Sequence, residues 1–355
     1  MRVLVTGASG FLGSHIVDAC IRAGDRVRVL VRKQSDLSHL QTVLPGLEFV
    51  QGDLRDGESL QHAVQGIEAV HHSAARVTDH GTRAQFWDEN VSGTQRLMAA
   101  ALEAGVRRFV FISGPCALVE PQDGYELAVT ESESFPSRHL SFHSETKAVA
   151  ECRVLASSRP SFTTVALRPC SVWGPRDHAG FLPQLLTAMI TGYLPDLSGG
   201  RRVYRSLCYC ENVAEACVRA ARAHGVGGKA YFITDGEPVE MWSTLTALAW
   251  KFGVVLPIGG VSPFTTGRLW KPSALTQHQW LRLSRYTLSL LTSSAVYDNS
   301  AARQDLAGPL VDHSVGMARL TSWIDGLGGV EEFLKRATTM TEQHISEAGA
   351  QASPT

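Results

Sequence analysis

The chain has 355 residues, 44% of them hydrophobic and 19% charged, with a formal net charge of -1. That length and apolar content suit one large α/β domain with a smaller appendage, and they exclude a disordered polymer. A net charge this close to zero gives no overall basic footprint for nucleic acid.

Arg2–Thr6 is a short apolar run that reads as a buried parallel strand, and a helical pattern follows over Phe11–Ala23. Further strands are expected at Arg26–Val31, Leu47–Gln51, Ala69–His72, Arg108–Ile112 and Thr163–Leu167, with helical patterns between them at Gln85–Ala104 and His143–Ser157. Strand–helix alternation of this kind predicts an α/β fold, a doubly wound parallel sheet of Rossmann type over residues 1–174. After Arg168 the rhythm changes. Strands at Val203–Cys210 and Ala230–Ile233 are short and isolated, and helices are expected at Asn212–Ala223 and Val239–Phe252. Residues 203–240 are expected to return to the sheet. Residues 175–202 and 241–340 are expected to form a smaller, irregular C-terminal substrate-binding subdomain, and 341–355 a frayed tail.

The turn Thr6-Gly7-Ala8-Ser9-Gly10-Phe11-Leu12-Gly13 lies directly between the first strand and its helix. One glycine makes the tight turn, the next lets backbone approach a pyrophosphate, and the last lets helix pack on strand. The helix N-terminus then offers free N–H groups and a positive dipole end to the phosphates. Gly7, Ser9, Gly10, Phe11, Leu12 and Gly13 are therefore candidate cofactor contacts. The second strand ends in Val31-Arg32-Lys33, where an acidic residue would bind the ribose hydroxyls of NAD. Arg32, supported by Lys33, instead favours the 2′-phosphate of NADP(H), with NAD(H) possible. Asp53, in Gly52-Asp53-Leu54, can accept from an adenine amino group, cap the following helix, or do both.

Seven scattered cysteines (Cys20, Cys116, Cys152, Cys170, Cys208, Cys210, Cys217) form no Cys-x-x-Cys pair. They predict neither a disulfide framework nor a metal site, and a reducing, cytoplasmic compartment. No secretory signal is expected, and no run of about 18 apolar residues predicts a transmembrane helix. Trp270–Ala295, rich in Trp, Leu and Arg, reads as a lid over an apolar substrate or a partner subunit in preference to a helix on a membrane surface. Cys208 and Cys210 fall on one strand face by period two and read as core. His71-His72 reads as a strand end beside the cofactor in preference to a metal pair.

Thr6-Gly7-x-x-Gly10-x-x-Gly13, Gly52-Asp53-Leu54-Arg55-Asp56, His71-His72-Ser73-Ala74-Ala75 and Asn90-Val91-Ser92-Gly93-Thr94 occur in this order, followed by Thr146-Lys147-Ala148, Arg168-Pro169 with Gly174-Pro175-Arg176-Asp177, Asn212-Val213-Ala214 and Phe232–Val239. With these motifs the chain resembles the extended short-chain dehydrogenase/reductases, in the 3-beta-hydroxysteroid dehydrogenase-like branch of the NAD-dependent epimerase/dehydratases. The resemblance implies that Ser73, Ala74, Ala75 and Pro169 line the nicotinamide half of the site. It implies that Lys147 binds the nicotinamide ribose and that Asn90 braces a helix of the site. It also implies a homodimer through helices here at Gln85–Ala104 and His143–Ser157, with Ala99, Ala100, Ala148 and Val149 at outward positions.

Family members carry a Tyr-x-x-x-Lys pair on one helix face, in which the Lys charge lowers the tyrosine pKa. Here the matching stretch is His143-Ser144-Glu145-Thr146-Lys147, with histidine in the tyrosine's place. The family's Ser or Thr after the fifth strand falls on Gly114, with Ser113 one residue early. Three readings follow. His143 is the acid/base, with Lys147, Ser113 and Asn90 completing the site; or hydride passes to a substrate that needs no strong acid, or whose acid lies at Tyr125, Tyr204 or His139; or the chain has left redox chemistry. The leading expectation is an NADP(H)-preferring oxidoreductase for an apolar, cyclic carbonyl, hydroxyl or conjugated compound. The alternatives are a cofactor-dependent isomerase or lyase and a non-catalytic NADP(H)-binding regulator.

Overall fold

The computed structural model describes residues 1–43, 47–77, 81–118, 128–139, 141–190, 194, 197, 200–253 and 283–339. Tyr125, the tail 341–355 and the 270–282 part of the Trp- and Leu-rich stretch lie outside them.

Seven parallel strands form the central sheet: β1 (Arg2–Thr6), β2 (Arg26–Val31), β3 (Leu47–Gln51), β4 (Ala69–His72), β5 (Arg108–Ile112), β6 (Thr163–Pro169) and β10 (Lys229–Ile233), in spatial order β10-β6-β5-β4-β1-β2-β3. Both faces of the central strands are covered, which is why Val3–Val5 of β1 and Phe109–Ile112 of β5 read as apolar runs. In β1, Val3 and Val5 enter one core while Leu4 enters the other. In β5, Val110 and Ile112 part from Phe109 and Phe111 in the same way. The first core packs α1 (Phe11–Arg22) and α8 (Cys210–Ala220) on one face. The second packs α3 (Gly57–Val64), α5 (Gly93–Glu103) and α6 (Phe142–Ala156) on the other. Each fully buried Leu, Val or Phe contributes about 1.5–3 kcal/mol. The strand order reverses at β1–β4, which leaves a crevice at their carboxyl ends.

A third apolar cluster joins Trp173 of β7 (Val172–Trp173) to α7 (Phe181–Ile190), α9 (Met241–Lys251), α10 (Arg285–Thr292) and α12 (His313–Gly326). Between α10 and α12 runs α11 (Ser300–Asp305).

Five expectations change. Val203–Cys210 is not one strand. β8 (Tyr204–Arg205) pairs with β11 (Val239–Glu240), and β9 (Cys208–Tyr209) pairs with β7. Cys210 opens α8, so it shares no strand face with Cys208, although both are buried. Ala230–Ile233 is not isolated, because β10 extends the main sheet alongside β6. Gln85–Ala104 is broken into α4 (Arg83–Phe86), a π-helical stretch Trp87–Ser92, and α5. Of the outward positions, Ala100 and Ala148 are buried in the chain's own packing, while Ala99 is exposed and Val149 half-buried.

Candidate active site

Gly7 closes the turn after β1 at φ +70, a backbone region in which a side chain is strained. A Cβ there would lie 2.7 Å from the Ala74 nitrogen, so β1 and β4 end in contact only because position 7 has none. A Cβ on Gly13 would lie 1.9 Å from Gly7 O, which fixes how closely α1 meets the turn. Gly10 is different. A Cβ there would meet only Gly7 O, at 3.3 Å, so its outer side faces open space. Gly10 is also the N-cap of α1, without a side-chain cap and without an acidic residue in the first turn. The first-turn N–H groups of Phe11, Leu12 and Gly13 thus face that space with no acidic side chain of their own helix turn to meet them. Ser9 beside them is exposed. This cradle fits the pyrophosphate of the dinucleotide that the motif implies.

Arg32 and Lys33 are exposed at the carboxyl end of β2. Asp53 follows the neighbouring β3, and Arg55 binds both of its carboxylate oxygens at 3.0 Å. That bond, with help from the Arg32 charge, holds its pKa below the ordinary carboxylate value. Asp53 is not the cap of the next helix; Asp56 caps α3 by accepting from Glu58 N–H. Leu54 packs beside Gly93, where a Cβ would come within 2.9 Å of its side chain.

A directed hydrogen-bond chain runs beneath the β1–β4 crevice. Ala74 N–H donates to Thr6 Oγ1 (3.3 Å), and Thr6 Oγ1 lies 2.7 Å from His72 Nδ1. His72 Nε2 lies 2.9 Å from Thr94 Oγ1, which itself donates to Asn90 O (2.7 Å). Thr94 has only one proton to give, so His72 donates through Nε2 and accepts at Nδ1. Burial, then Lys147, push the His72 pKa down to about 3, consistent with a neutral ring. Asn90, in the π-helical stretch, binds the Arg76 backbone on both sides: Oδ1 accepts from Arg76 N–H (2.7 Å) and Nδ2 donates to Arg76 O (3.1 Å). Nδ2 also donates to Thr146 Oγ1 on α6, at 3.0 Å. A widened helical turn at such a place is a common mark of a functional site.

Helix α6 carries His143 and Lys147 four residues apart. Ser141 caps it by accepting from Ser144 N–H. The buried Arg168–Glu151 ion pair, with Nε 3.1 Å from each carboxylate oxygen, ties it to β6. Lys147 is buried and donates from Nζ to Ile112 O (2.7 Å) at the end of β5, and burial pushes its pKa down to about 8. His143 is half-buried, and its Nδ1 lies 3.0 Å from Arg76 O. Burial, then the Lys147 charge, push its pKa down to about 4. Ser113 follows β5 and donates its N–H to Leu167 O (2.7 Å), while its buried Oγ has no hydrogen-bond partner among the described residues. A Cβ on Gly114 would meet only Cys116 Sγ, at 3.5 Å, so that position has room for a side chain.

The structure thus gathers Gly7, Gly10, Gly13, Ser73–Ala75, Asn90, Ser113, Lys147 and Pro169 at the carboxyl ends of β1, β4, β5 and β6, with His143 tied to the same cluster through Arg76. Tyr204 is 37% exposed on β8 opposite Glu240. His139 is half-buried, and its Nδ1 makes no hydrogen bond among the described residues. Sequence reasoning missed Thr6, His72, Arg76, Thr94 and Thr146 as one network. No spacing rule links residues 6, 72 and 146, which only the sheet order brings together. Among the described residues, no group of three or more His, Cys, Asp or Glu side chains is placed to hold a metal, and no helix is long and apolar enough to cross a membrane.

Comparison with known proteins agrees with this geometry. The model of the 3-beta hydroxysteroid dehydrogenase/isomerase family matches residues 4–258. The 4-hydroxy-2-methyl-3-oxo-4-farnesyl-3,4-dihydroquinoline-1-oxide ketoreductase of Stigmatella aurantiaca is 35% identical over 329 residues, covering 90% of this chain and 96% of its own. The 2-alkyl-3-oxoalkanoate reductase of Stenotrophomonas maltophilia is 31% identical, covering 90% of this chain and 98% of its own. The dTDP-glucose 4,6-dehydratase DesIV of Streptomyces venezuelae, solved with NAD and TYD bound, shares the fold with a TM-score of 0.72 at 24% identity, covering 92% of this chain and 97% of its own. The chain belongs to the 3-beta hydroxysteroid dehydrogenase/isomerase family, within the extended short-chain dehydrogenase/reductases, and is an NAD(P)-dependent oxidoreductase.

Proposed function

We propose that this oxidoreductase is an NADP(H)-preferring ketoreductase whose substrate is an apolar, cyclic ketone bearing a neighbouring hydroxyl. The observation that carries this reading is the union of an open phosphate cradle at Gly10 with a buried Lys147 and a half-buried His143 on one helix. The relative of 35% identity is named for reducing a compound with a 3-oxo group beside a 4-hydroxyl on a ring with a farnesyl chain.

The nicotinamide cofactor supplies or removes the hydride when bound. The residues of the chain do the rest. The α1 N-terminus meets the pyrophosphate, and Arg32 with Lys33 meets the 2′-phosphate. Ser73–Ala75 and Pro169 wall the nicotinamide, while Lys147 holds the adjoining ribose. Asn90 fixes Arg76 O, which in turn fixes the His143 ring. The His143 Nε2 lone pair accepts from the substrate hydroxyl and sets which face of the ketone is presented. Exposed Ala99 and Leu102 of α5, with half-buried Val149 of α6, suit a homodimer in the cytoplasm, for which light scattering at micromolar concentration predicts twice the chain mass.

The test is absorbance at 340 nm with NADPH and 4-hydroxy-2-methyl-3-oxo-4-farnesyl-3,4-dihydroquinoline-1-oxide. A fall in absorbance matched by alcohol formation supports the reading. Conversion of the ketone without net absorbance change points to an isomerase or lyase. Cofactor binding without conversion of this ketone or of a 2-alkyl-3-oxoalkanoate points to a regulator.

A further inference from the structure

With its proton on Nδ1, neutral His143 has nothing to give a ketone oxygen, and the helix carries no phenol. A phenol does reach the site from the C-terminal part of the chain. The hydroxyl of Tyr286, on α10, lies 2.9 Å from Ser171 Oγ. Ser171 stands just past the carboxyl end of β6 at φ +36, a conformation that non-glycine residues rarely hold and that aims its side chain at the phenol. β6 is paired with β5, so the Ser171 end of β6 lies next to the Ile112 end of β5. Tyr286 therefore meets the carboxyl end of β6, the strand beside the one at whose end Lys147 contacts Ile112 O. The residue as a whole is 38% exposed, while its hydroxyl end is enclosed beside Ser171.

The geometry points to Tyr286 as the proton donor of the reduction, placed by Ser171 and reaching the substrate from the side opposite α6. The inference rests on the ketoreductase reading. As the carbonyl carbon takes up hydride, the C=O π pair moves onto oxygen. That oxygen forms a bond to the Tyr286 proton as the Oη–H bond breaks. The phenolate regains a proton from water through the Ser171 hydroxyl. Among the described residues, the titratable and polar groups that act on the phenol are Ser171, Arg205, Cys116, Cys170 and Tyr297. Burial holds the phenol protonated, and the Arg205 guanidinium opposes that and eases phenolate formation.

Two measurements test this. The full chain labelled with 3-fluorotyrosine is saturated with NADP+, which prevents turnover, and titrated with the farnesyl dihydroquinoline-oxide ketone. The fluorine resonance missing from Tyr286→Phe should move on ketone addition; if it stays in place, the phenol does not meet the ketone and the proposal falls. In steady-state reduction with NADPH, Tyr286→Phe should lose about 100-fold in kcat with cofactor Kd unchanged. Turnover within twofold of the wild type overturns the role. A wild type that shows the fluorine shift yet reduces no ketone counts against the proposed function and supports the phenol's contact.

Discussion

Nδ1 of His143 donates to the carbonyl oxygen of Arg76, 3.0 Å away, because a carbonyl can only accept. The same oxygen accepts from Asn90 Nδ2, so the ring is anchored to a backbone group that is itself pinned. The neutral imidazole is left with an acceptor at Nε2. His143 then differs from a phenol in kind as well as in pKa, since it receives a hydroxyl proton where a phenol gives one.

The first prediction concerns that lone pair. His143→Ala should raise KM about tenfold for a hydroxyketone, the worth of one hydrogen bond. It should leave a ketone without the hydroxyl unaffected, along with cofactor Kd. With its pKa near 4, His143 stays neutral above pH 5.5, so the reduction rate should be level from there to pH 7, where Lys147, with a pKa of about 8, still keeps its charge. A rate rising tenfold for each unit of falling pH would instead mark imidazolium as the acid.

Several buried histidines are neutral in the fold. His15 and His72 are held near pKa 3 and His71 near 4, all first by burial, against 6.5 in the unfolded chain. Folding therefore favours the deprotonated form. The unfolded state binds more protons below pH 6.5, so stability is full above that value and falls as pH drops toward 4 and below. Each unit of depressed pKa corresponds to about 1.4 kcal/mol per group. Urea unfolding should show little change between pH 7 and 8 and a marked loss at pH 5. His71 has no hydrogen bond on either nitrogen among the described residues, so His71→Val should flatten part of that loss. An unchanged slope would show that His71 is not the group being titrated.

Arg32→Ala should erase most of the preference for NADPH over NADH. A charge-assisted phosphate contact is worth about 1.5–3 kcal/mol, or roughly 10- to 150-fold in affinity. Calorimetric titration with both cofactors reads it directly, and equal wild-type affinities would refute the 2′-phosphate assignment.

The three glycines of the loop should separate by experiment. Gly13→Ala drives a Cβ to 1.9 Å from Gly7 O and should lower the melting temperature by several degrees or prevent folding. Gly10→Val meets only Gly7 O at 3.3 Å and extends into open space, so it should fold yet lose cofactor binding. Retained affinity in folded Gly10→Val would place the pyrophosphate elsewhere.

The parallel sheet was legible because the middle of β1 and most of β5 are buried on both faces and read as apolar runs, and because the glycine loop sits on its strand–helix junction. Residues 203–210 read as one strand because nothing in their apolar content marks the change of partner, β8 pairing with β11 and β9 with β7. The break of Gln85–Ala104 at the π-helical stretch was hidden for a related reason: its sequence keeps helical spacing, and the partners that Asn90 meets there, Arg76 and Thr146, lie far from it in the chain. Tyr286 carried no local signal at all, since it meets Ser171 across 115 residues of chain.

Transfer of label from cofactor to substrate tests the central claim most directly. NADPH carrying deuterium at C4, prepared separately in each of its two stereochemical forms, is incubated with the enzyme and the farnesyl dihydroquinoline-oxide ketone, and the alcohol is examined by mass spectrometry. One form should give alcohol one mass unit heavier, with deuterium on the new carbinol carbon, and the other unlabelled alcohol. Product free of deuterium from both forms, or no alcohol from a protein that binds NADPH, would contradict a ketoreductase.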